Sequence, residues 1–163
     1  MDHLGELLGA DGRQALEFFF LRLQDVSGPS VDRHELLYNA SVLAHYAQVS
    51  TGSQTEMPAP ANLSAVFDHF VFDTTLLNDG PMMETAGAQC LFLTGFFEDQ
   101  MRARHNISWY ARLGAGFFHR AASAFDGVPA KERILTNMAT GFEIWRQRHA
   151  RLSRELRDQP YLL

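Results

Sequence analysis

The sequence predicts an all-α fold, and three observations support this prediction. Leu and Ala dominate the 163 residues with 20 and 19 copies, whereas Val and Ile together number ten. Unbranched side chains favour helices, and sparse β-branching disfavours sheets. Apolar residues also recur at three- and four-residue intervals, the spacing of one helix face. We therefore expect one domain over residues 1–163, built as a bundle of about six helices.

Two predicted helices precede the one clear flexible connection. Residues 1–10 are expected to be a short helix or a frayed lead, and the first clear helix spans residues 14–26. The second spans residues 32–49, where an Asp followed three residues later by Glu resembles a capping box. Residues 50–61 combine Gly, Ser and two Pro without periodicity, which predicts a flexible connection between helices. A third helix, capped by Asn62, follows this connection.

An apolar helix over about residues 82–103 is predicted to form the centre of the bundle. Between residues 86 and 97, only Gln89 and Thr94 interrupt the apolar side chains. A helix without a polar face belongs in the interior of a bundle. Residues 106–108 then form a break with Asn106 as a helix cap, and a further amphipathic helix follows whose apolar face runs from Tyr110 to Phe125.

The last predicted helix is long and carries a continuous apolar seam. It covers about residues 129–157, or about 40 Å at 1.5 Å per residue. The seam consists of seven residues at alternating steps of three and four: Leu135, Met138, Phe142, Trp145, His149, Leu152 and Leu156. Such a helix is longer than a globule of this size needs, so we expect its distal part to contact a protein partner or a second copy.

Three glycines within predicted helices each precede a phenylalanine, namely Gly95, Gly116 and Gly141. A glycine inside a helix costs about 0.8–1 kcal/mol relative to Ala. We therefore expect close helix packing at each glycine, with the neighbouring Phe ring filling the adjacent groove.

The charges separate after Asp99. Residues 1–99 hold 14 acidic side chains and three Arg, whereas residues 100–163 hold 11 basic and five acidic side chains. The last helix carries five arginines that spread around its surface: Arg146, Arg148, Arg151, Arg154 and Arg157. A phosphate-tracking surface needs its charges on one side, so we expect these arginines to cover the seam and pair with acids of the N-terminal half.

The composition also predicts where the protein is located in the cell and how reactive its single cysteine is. No apolar run approaches the ~18 residues of a membrane span, and the first residues are acidic where a secretory signal is basic. We expect a cytoplasmic protein without membrane contact, and 13 Arg against one Lys is typical of high-GC bacterial coding. The single cysteine, Cys90, excludes an internal disulfide and is predicted to be a buried, inert thiol.

Candidate ligand-binding residues come from histidines and from the Phe-rich centre. A histidine near its ordinary pKa of about 6.5 can act as a proton switch or ligate haem iron. The candidates are His45, His149, Phe92, Phe96, Phe117 and Phe142. The alternative is a hydrogen-bonded core or boundary histidine beside rings that only fill space.

The strongest local metal-ligand pair is His69 and Asp73, one helical turn apart with Asp68 adjacent. A surface ion pair is the alternative. The sequence lacks the Glu-x-x-His pairs of di-iron bundles and the signatures of nucleotide-binding loops and serine hydrolases. We therefore expect no cofactor and assign no catalytic residue.

Three stretches together resemble an uncharacterised family of small all-helical bacterial proteins. They are residues 42–47 (VLAHYA), 87–97 (GAQCLFLTGFF) and 108–117 (SWYARLGAGF). The family pattern is a G-x-x-A-L-F-x-S-G-F-F helix followed by a Y-Y-x-x-x-G-x-x-Y helix. The departures are Cys90 for Ala, Thr94 for Ser, and Trp109 and Phe117 for Tyr. The resemblance implies a helical fold and transfers no activity.

Our first hypothesis is a non-enzymatic, cytoplasmic helical domain for protein interaction or regulation. It would bind a protein partner, or itself as a homodimer, through the last helix. The residues assigned to this interaction are Trp145, His149, Leu152, Leu156, Arg146, Arg148, Arg151 and Arg154. The alternatives are a small-ligand or haem sensor using the Phe-rich core and a nucleic-acid partner bound by the Arg-rich end.

Overall fold

The computed structural model describes the backbone of residues 3–52 and 79–158, and the side chains of residues 13–47 and 79–158. These residues form seven helices and no strand. The predicted all-α class is confirmed. The chain divides into two compact units, residues 1–57 and 58–163. That the whole chain forms one domain stays a prediction.

The first unit contains two helices, α1 (His3–Ser27) and α2 (Arg33–Gly52). Gly28, with φ of 86°, ends α1 in the left-handed region that favours glycine. Asp32 Oδ1 then accepts the backbone N–H of Glu35 at 3.0 Å and caps α2, as predicted. The unit buries one face of each helix, with a core that includes Phe19, Leu23, Leu36 and Leu43.

These two helices are longer than the sequence predicted. The backbone is helical from residue 3, and α2 continues to Gly52 through the start of the predicted connection. The lead expected as a short helix or a frayed end is therefore continuous with α1 from residue 3. The rest of the connection and the third predicted helix lie outside the described residues.

The second unit contains five described helices. They are α3 (Gly80–Gly95), α4 (Glu98–Arg102), α5 (Ile107–Ala124), α6 (Pro129–Thr140) and α7 (Phe142–Asp158). Helix α3 packs against α5 and α7, and α5 packs against α6. The C-terminal half of α3 is buried on all sides, from Cys90 to Gly95, as expected of an apolar helix in the interior of this unit.

The central helix ends earlier than predicted. Helix α3 stops at Gly95, and Phe96 and Phe97 form a turn before the short α4. The Phe97 N–H donates to the carbonyl of Phe92 at 3.4 Å, one residue further back than in a regular α-helix. The predicted helix over about residues 82–103 is therefore two helices.

The long C-terminal helix is also divided. Gly141 separates α6 from α7, although its N–H still donates to Asn137 O at 2.8 Å and its carbonyl accepts from Trp145 at 3.0 Å. The hydrogen-bond ladder therefore continues across Gly141. The seam crosses the break, and all seven of its residues are buried.

Close helix packing accounts for only one of the three helix glycines that precede a phenylalanine. A Cβ atom on Gly95 would lie 2.8 Å from the His149 Cβ and 2.9 Å from the Arg146 carbonyl oxygen. At Gly116 it would meet nothing within 4 Å, and Gly141 serves the helix break. The tightest contact belongs to Gly114, where a Cβ would lie 2.6 Å from Phe142 Cζ. The packing prediction was wrong at Gly116.

Candidate functional site

Buried polar side chains of the second unit gather between the end of α3 and one side of α7. We call them the polar cluster: Thr94, Glu98, Arg146, His149 and Ser153. Among the residues with described side chains, the only other buried polar one is Asn39 in the first unit. Burying polar groups carries a free-energy penalty unless they are paired, so this concentration marks the cluster as a candidate site.

The local sequence explains how these groups meet. The absence of a side chain at Gly95 lets the α7 backbone approach α3. The Phe96–Phe97 turn then places Glu98 at the first position of α4, where the helix dipole favours a carboxylate. On α7, three- and four-residue steps place Arg146, His149 and Ser153 on one side.

Glu98 is the centre of the cluster. Its Oε2 accepts from Arg146 Nη1 at 2.5 Å, and its Oε1 accepts from Arg154 Nη2. Arg102 Nη2 lies 3.0 Å from the same Oε1. Arg146 Nη1 also donates to the Thr94 carbonyl at 3.2 Å. One buried carboxylate therefore joins the α3–α4 segment to α7.

Further ion pairs surround this contact. Arg146 Nε donates to Glu143 at 2.9 Å, and this hydrogen bond raises the pKa of Arg146 and lowers that of Glu143. Arg157 Nη2 donates to Asp99 at 2.7 Å, which lowers the pKa of Asp99. Each hydrogen bond stabilises the charged form of both partners. The predicted pairing with acids of the N-terminal half is found at Glu98 and Asp99.

Burial keeps two potentially reactive side chains, the His149 imidazole and the Cys90 thiol, in their neutral forms. Burial lowers the pKa of His149 to about 3 and raises the pKa of the Cys90 thiol to about 12. Near neutral pH the imidazole is therefore uncharged and the thiol protonated. Neither has the reactivity of a nucleophile or of a general base poised near pH 7.

The Phe candidates pack against other rings. Phe92 stacks on Phe96 with centroids 5.5 Å apart, and Phe142 lies 6.0 Å from Phe118. Phe117 is 4% exposed. Of the two candidate histidines, His149 lies inside the second unit, whereas His45 is exposed on α2 of the first unit.

The predicted metal residues, Asp68, His69 and Asp73, lie outside the described residues. Within the described part of the chain, no group of three or more His, Cys, Asp or Glu could hold a metal ion.

The predicted interaction surface of the last helix lies largely inside the protein. Trp145 and Leu152 are 2% and 0% exposed, and the other apolar seam residues are equally buried. The remaining arginines are also engaged: Arg148 lies 4.5 Å above the Trp145 ring, and Arg151 Nε is 3.4 Å from Glu155. This burial removes the expected free distal seam, because side chains of the same chain already cover it.

A different helix presents an exposed basic surface. Arg112, Gly116 and Arg120 follow one another at four-residue steps on α5, and we call them the α5 outer face. All three are exposed, and space above Gly116 is open to 4 Å. Neither arginine forms an ion pair with any residue that the structure describes. Trp109, 37% exposed, lies one turn before Arg112.

Comparison with protein-family models, curated proteins and solved structures gives no significant match. The resemblance noted from the sequence therefore remains a similarity of motifs and contributes no activity, cofactor or partner.

Sequence reasoning missed both Glu98 and the α5 outer face. The signal for Glu98 was an acidic pair, Glu98-Asp99, directly after a nearly continuous apolar run. The signal for the α5 outer face was two arginines eight residues apart on a helix with no acidic residue. The sequence-based prediction instead assigned the interaction to the last helix, because that helix carries the largest number of arginines.

Proposed function

We propose that this chain is a non-enzymatic helical protein-interaction domain that docks an acidic helix on the α5 outer face. The observation that carries this proposal is the pair of exposed arginines flanking an open glycine on a helix without acids. Gly116 lets a partner side chain approach the backbone, and the arginines supply charge on either side.

A protein partner is favoured over nucleic acid by the charge distribution. Residues 58–163 hold eleven acidic and eleven basic side chains, so this unit has no excess positive charge. Binding to a phosphate backbone depends on neutralising many phosphates at once. Three arginines of α7, namely Arg146, Arg154 and Arg157, are already paired with acids.

A non-enzymatic role is supported by the state of the buried groups. The protonated Cys90 thiol and the uncharged, enclosed His149 are poorly suited to covalent or acid–base catalysis. The sensor alternative has less support, because Phe92 and Phe142 are occupied by ring packing.

A designed peptide tests the proposal. The probe is a fluorescein-labelled, alanine-rich helical peptide with Glu, Leu and Glu at positions i, i+4 and i+8, and anisotropy reports binding. We expect a dissociation constant of about 100 µM. The R112E/R120E variant should bind about tenfold more weakly, because two attractive charges become repulsive.

The matched control is R104E/R133E, which makes the same charge change at two exposed arginines outside α5 and should bind like the wild type. Equal weakening by both variants would contradict the proposal. Tighter binding of a labelled single-stranded oligonucleotide than of the peptide would assign the face to nucleic acid instead.

A further inference from the structure

We propose that the α5 outer face binds the outer face of α1 on a second copy of this chain. The α1 outer face is defined by Glu17, Leu21 and Asp25. This inference rests on the proposed function, because it uses the same surface and names the partner.

The α1 outer face is exposed and carries an apolar residue between two acids. Leu21 is 52% exposed, and both Glu17 and Asp25 are exposed. The opposite side of α1 carries Phe19 and Leu23, which are buried. Neither acid forms an ion pair with any residue that the structure describes. The helix therefore buries one side and leaves the acidic side available.

The two faces match in spacing and in charge. On α1 the order is acid, Leu, acid at four-residue steps, and on α5 it is Arg, Gly, Arg at the same steps. The outer charges are therefore about 12 Å apart on both helices. Because both patterns are symmetric about the middle residue, either relative direction of the helices pairs every acid with an arginine.

The middle positions match in shape. Leu21 projects from α1, whereas Gly116 presents a gap in which an added Cβ would meet nothing within 4 Å. A leucine seated over a glycine lets the two backbones approach, which also shortens the flanking ion pairs.

The charge of the first unit and the charge of α5 agree with this arrangement. Residues 1–57 hold eight acidic and three basic side chains, whereas α5 contains arginines and no acid. Attraction between copies therefore operates over the screening length of the solution, about 10 Å at 0.1 M salt and about 3 Å at 1 M. Two exposed ion pairs and one leucine predict a weak, salt-sensitive contact.

Sedimentation velocity of the full chain tests the inference. The weight-average mass of the wild type should rise between about 10 µM and about 500 µM protein and should fall again in about 1 M salt. The E17R/D25R and R112E/R120E variants should each remain monomeric over this range, because each carries like charges on both faces.

Mixing the two variants is the decisive step. In an equimolar mixture the reversed α1 face of one variant complements the reversed α5 face of the other, so the mass should rise as in the wild type. Circular dichroism checks that both variants remain folded, and R104E/R133E should associate like the wild type.

The outcomes separate this inference from the proposed function. A wild type that stays monomeric at about 500 µM while the designed peptide binds overturns self-association and leaves the docking surface in place. An associating wild type without rescue in the mixture also overturns the inference. Failure of the peptide to bind contradicts the proposed function itself.

Discussion

Arg146 and Glu98 form an ion pair at 2.5 Å in which 8% and 6% of the two side chains are exposed. The pair joins the first turn of α4 to α7, and Arg154 donates to the same carboxylate. A buried carboxylate that loses one of its partners destabilises the fold, because Arg154 and Arg102 then compensate its charge only in part. The contact thus fixes the position of α7 more strictly than apolar packing alone does.

Removing the buried guanidinium should be far more harmful than removing an exposed one. Arg146→Met should lower the free energy of unfolding by about 2 kcal/mol, because Glu98 keeps Arg154 and Arg102 as partners. The matched control is Arg151→Met, whose side chain is 64% exposed. Among the described residues it forms an ion pair only with Glu155 one turn away, so its loss should cost less than about 0.5 kcal/mol. Urea unfolding followed by circular dichroism measures both, and equal losses would refute the role of the buried pair.

Acidification should destabilise the protein through His149. Its pKa is about 3 in the folded protein and near its ordinary 6.5 in the unfolded chain. Between these values the unfolded chain binds more protons, so the stability present above pH 6.5 is lost as the pH falls toward 3. The free energy of unfolding should therefore fall by up to about 1.4 kcal/mol for each pH unit of acidification.

Urea unfolding at about pH 7.5 and about pH 5.5 isolates this effect, since ordinary carboxyl groups are still ionised there. His149→Gln should remove most of the pH dependence in this window, whereas His45→Gln, at an exposed position, should retain it. A His149→Gln variant with the wild-type slope would show that another group is responsible.

The Cys90 thiol should be unreactive in the folded state. Burial raises its pKa from 9.0 to about 12, so the thiolate fraction near neutral pH is about a thousandfold lower than in the unfolded chain. Labelling with a thiol-specific disulfide reagent should therefore be slow in buffer and fast in concentrated urea. Rapid labelling of the native protein would contradict burial of the thiol.

Two neighbouring glycines of α5 should respond oppositely to the same substitution. Gly116→Ala should stabilise the protein by about 1 kcal/mol, because alanine favours helix and the new Cβ meets nothing within 4 Å. Gly114→Ala should destabilise it, because the Cβ would lie 2.6 Å from Phe142 and 2.7 Å from Cys90. Thermal unfolding midpoints compare the two variants, and midpoints shifting in the same direction would disprove this assignment.

Much of the local helical organisation was predictable from the sequence. Asp32 and Asn106 cap helices as their side chains predict, with Asn106 accepting from Trp109 at 3.1 Å. The seam was predictable because one side of a helix must be apolar to be buried. In the part of the chain that the structure describes, no helix is long and apolar enough to cross a membrane.

The helix breaks and the candidate site were less predictable. Gly95 and Gly141 both follow threonine and precede phenylalanine, yet only Gly95 lies against the backbone of another helix, and only Gly141 lies in a hydrogen-bond ladder that continues across it. The difference depends on tertiary neighbours, which periodicity does not specify. Similarly, Glu98 forms its ion pair with Arg146 only because α3 and α7 lie side by side.

The break at Gly141 lets one C-terminal segment hold two partners, since α6 packs on α5 while α7 packs on α3. The residues of α7 that face α3 are fixed by their register along the helix. An extra residue inserted early in α7 would turn everything beyond it by about 100°, carrying Arg154 and Arg157 away from the carboxylates they bind. The same insertion in the turn at residues 125–127 would leave these contacts between arginines and carboxylates in place. Length changes in homologous chains should therefore collect in the turns and spare the seventeen residues of α7.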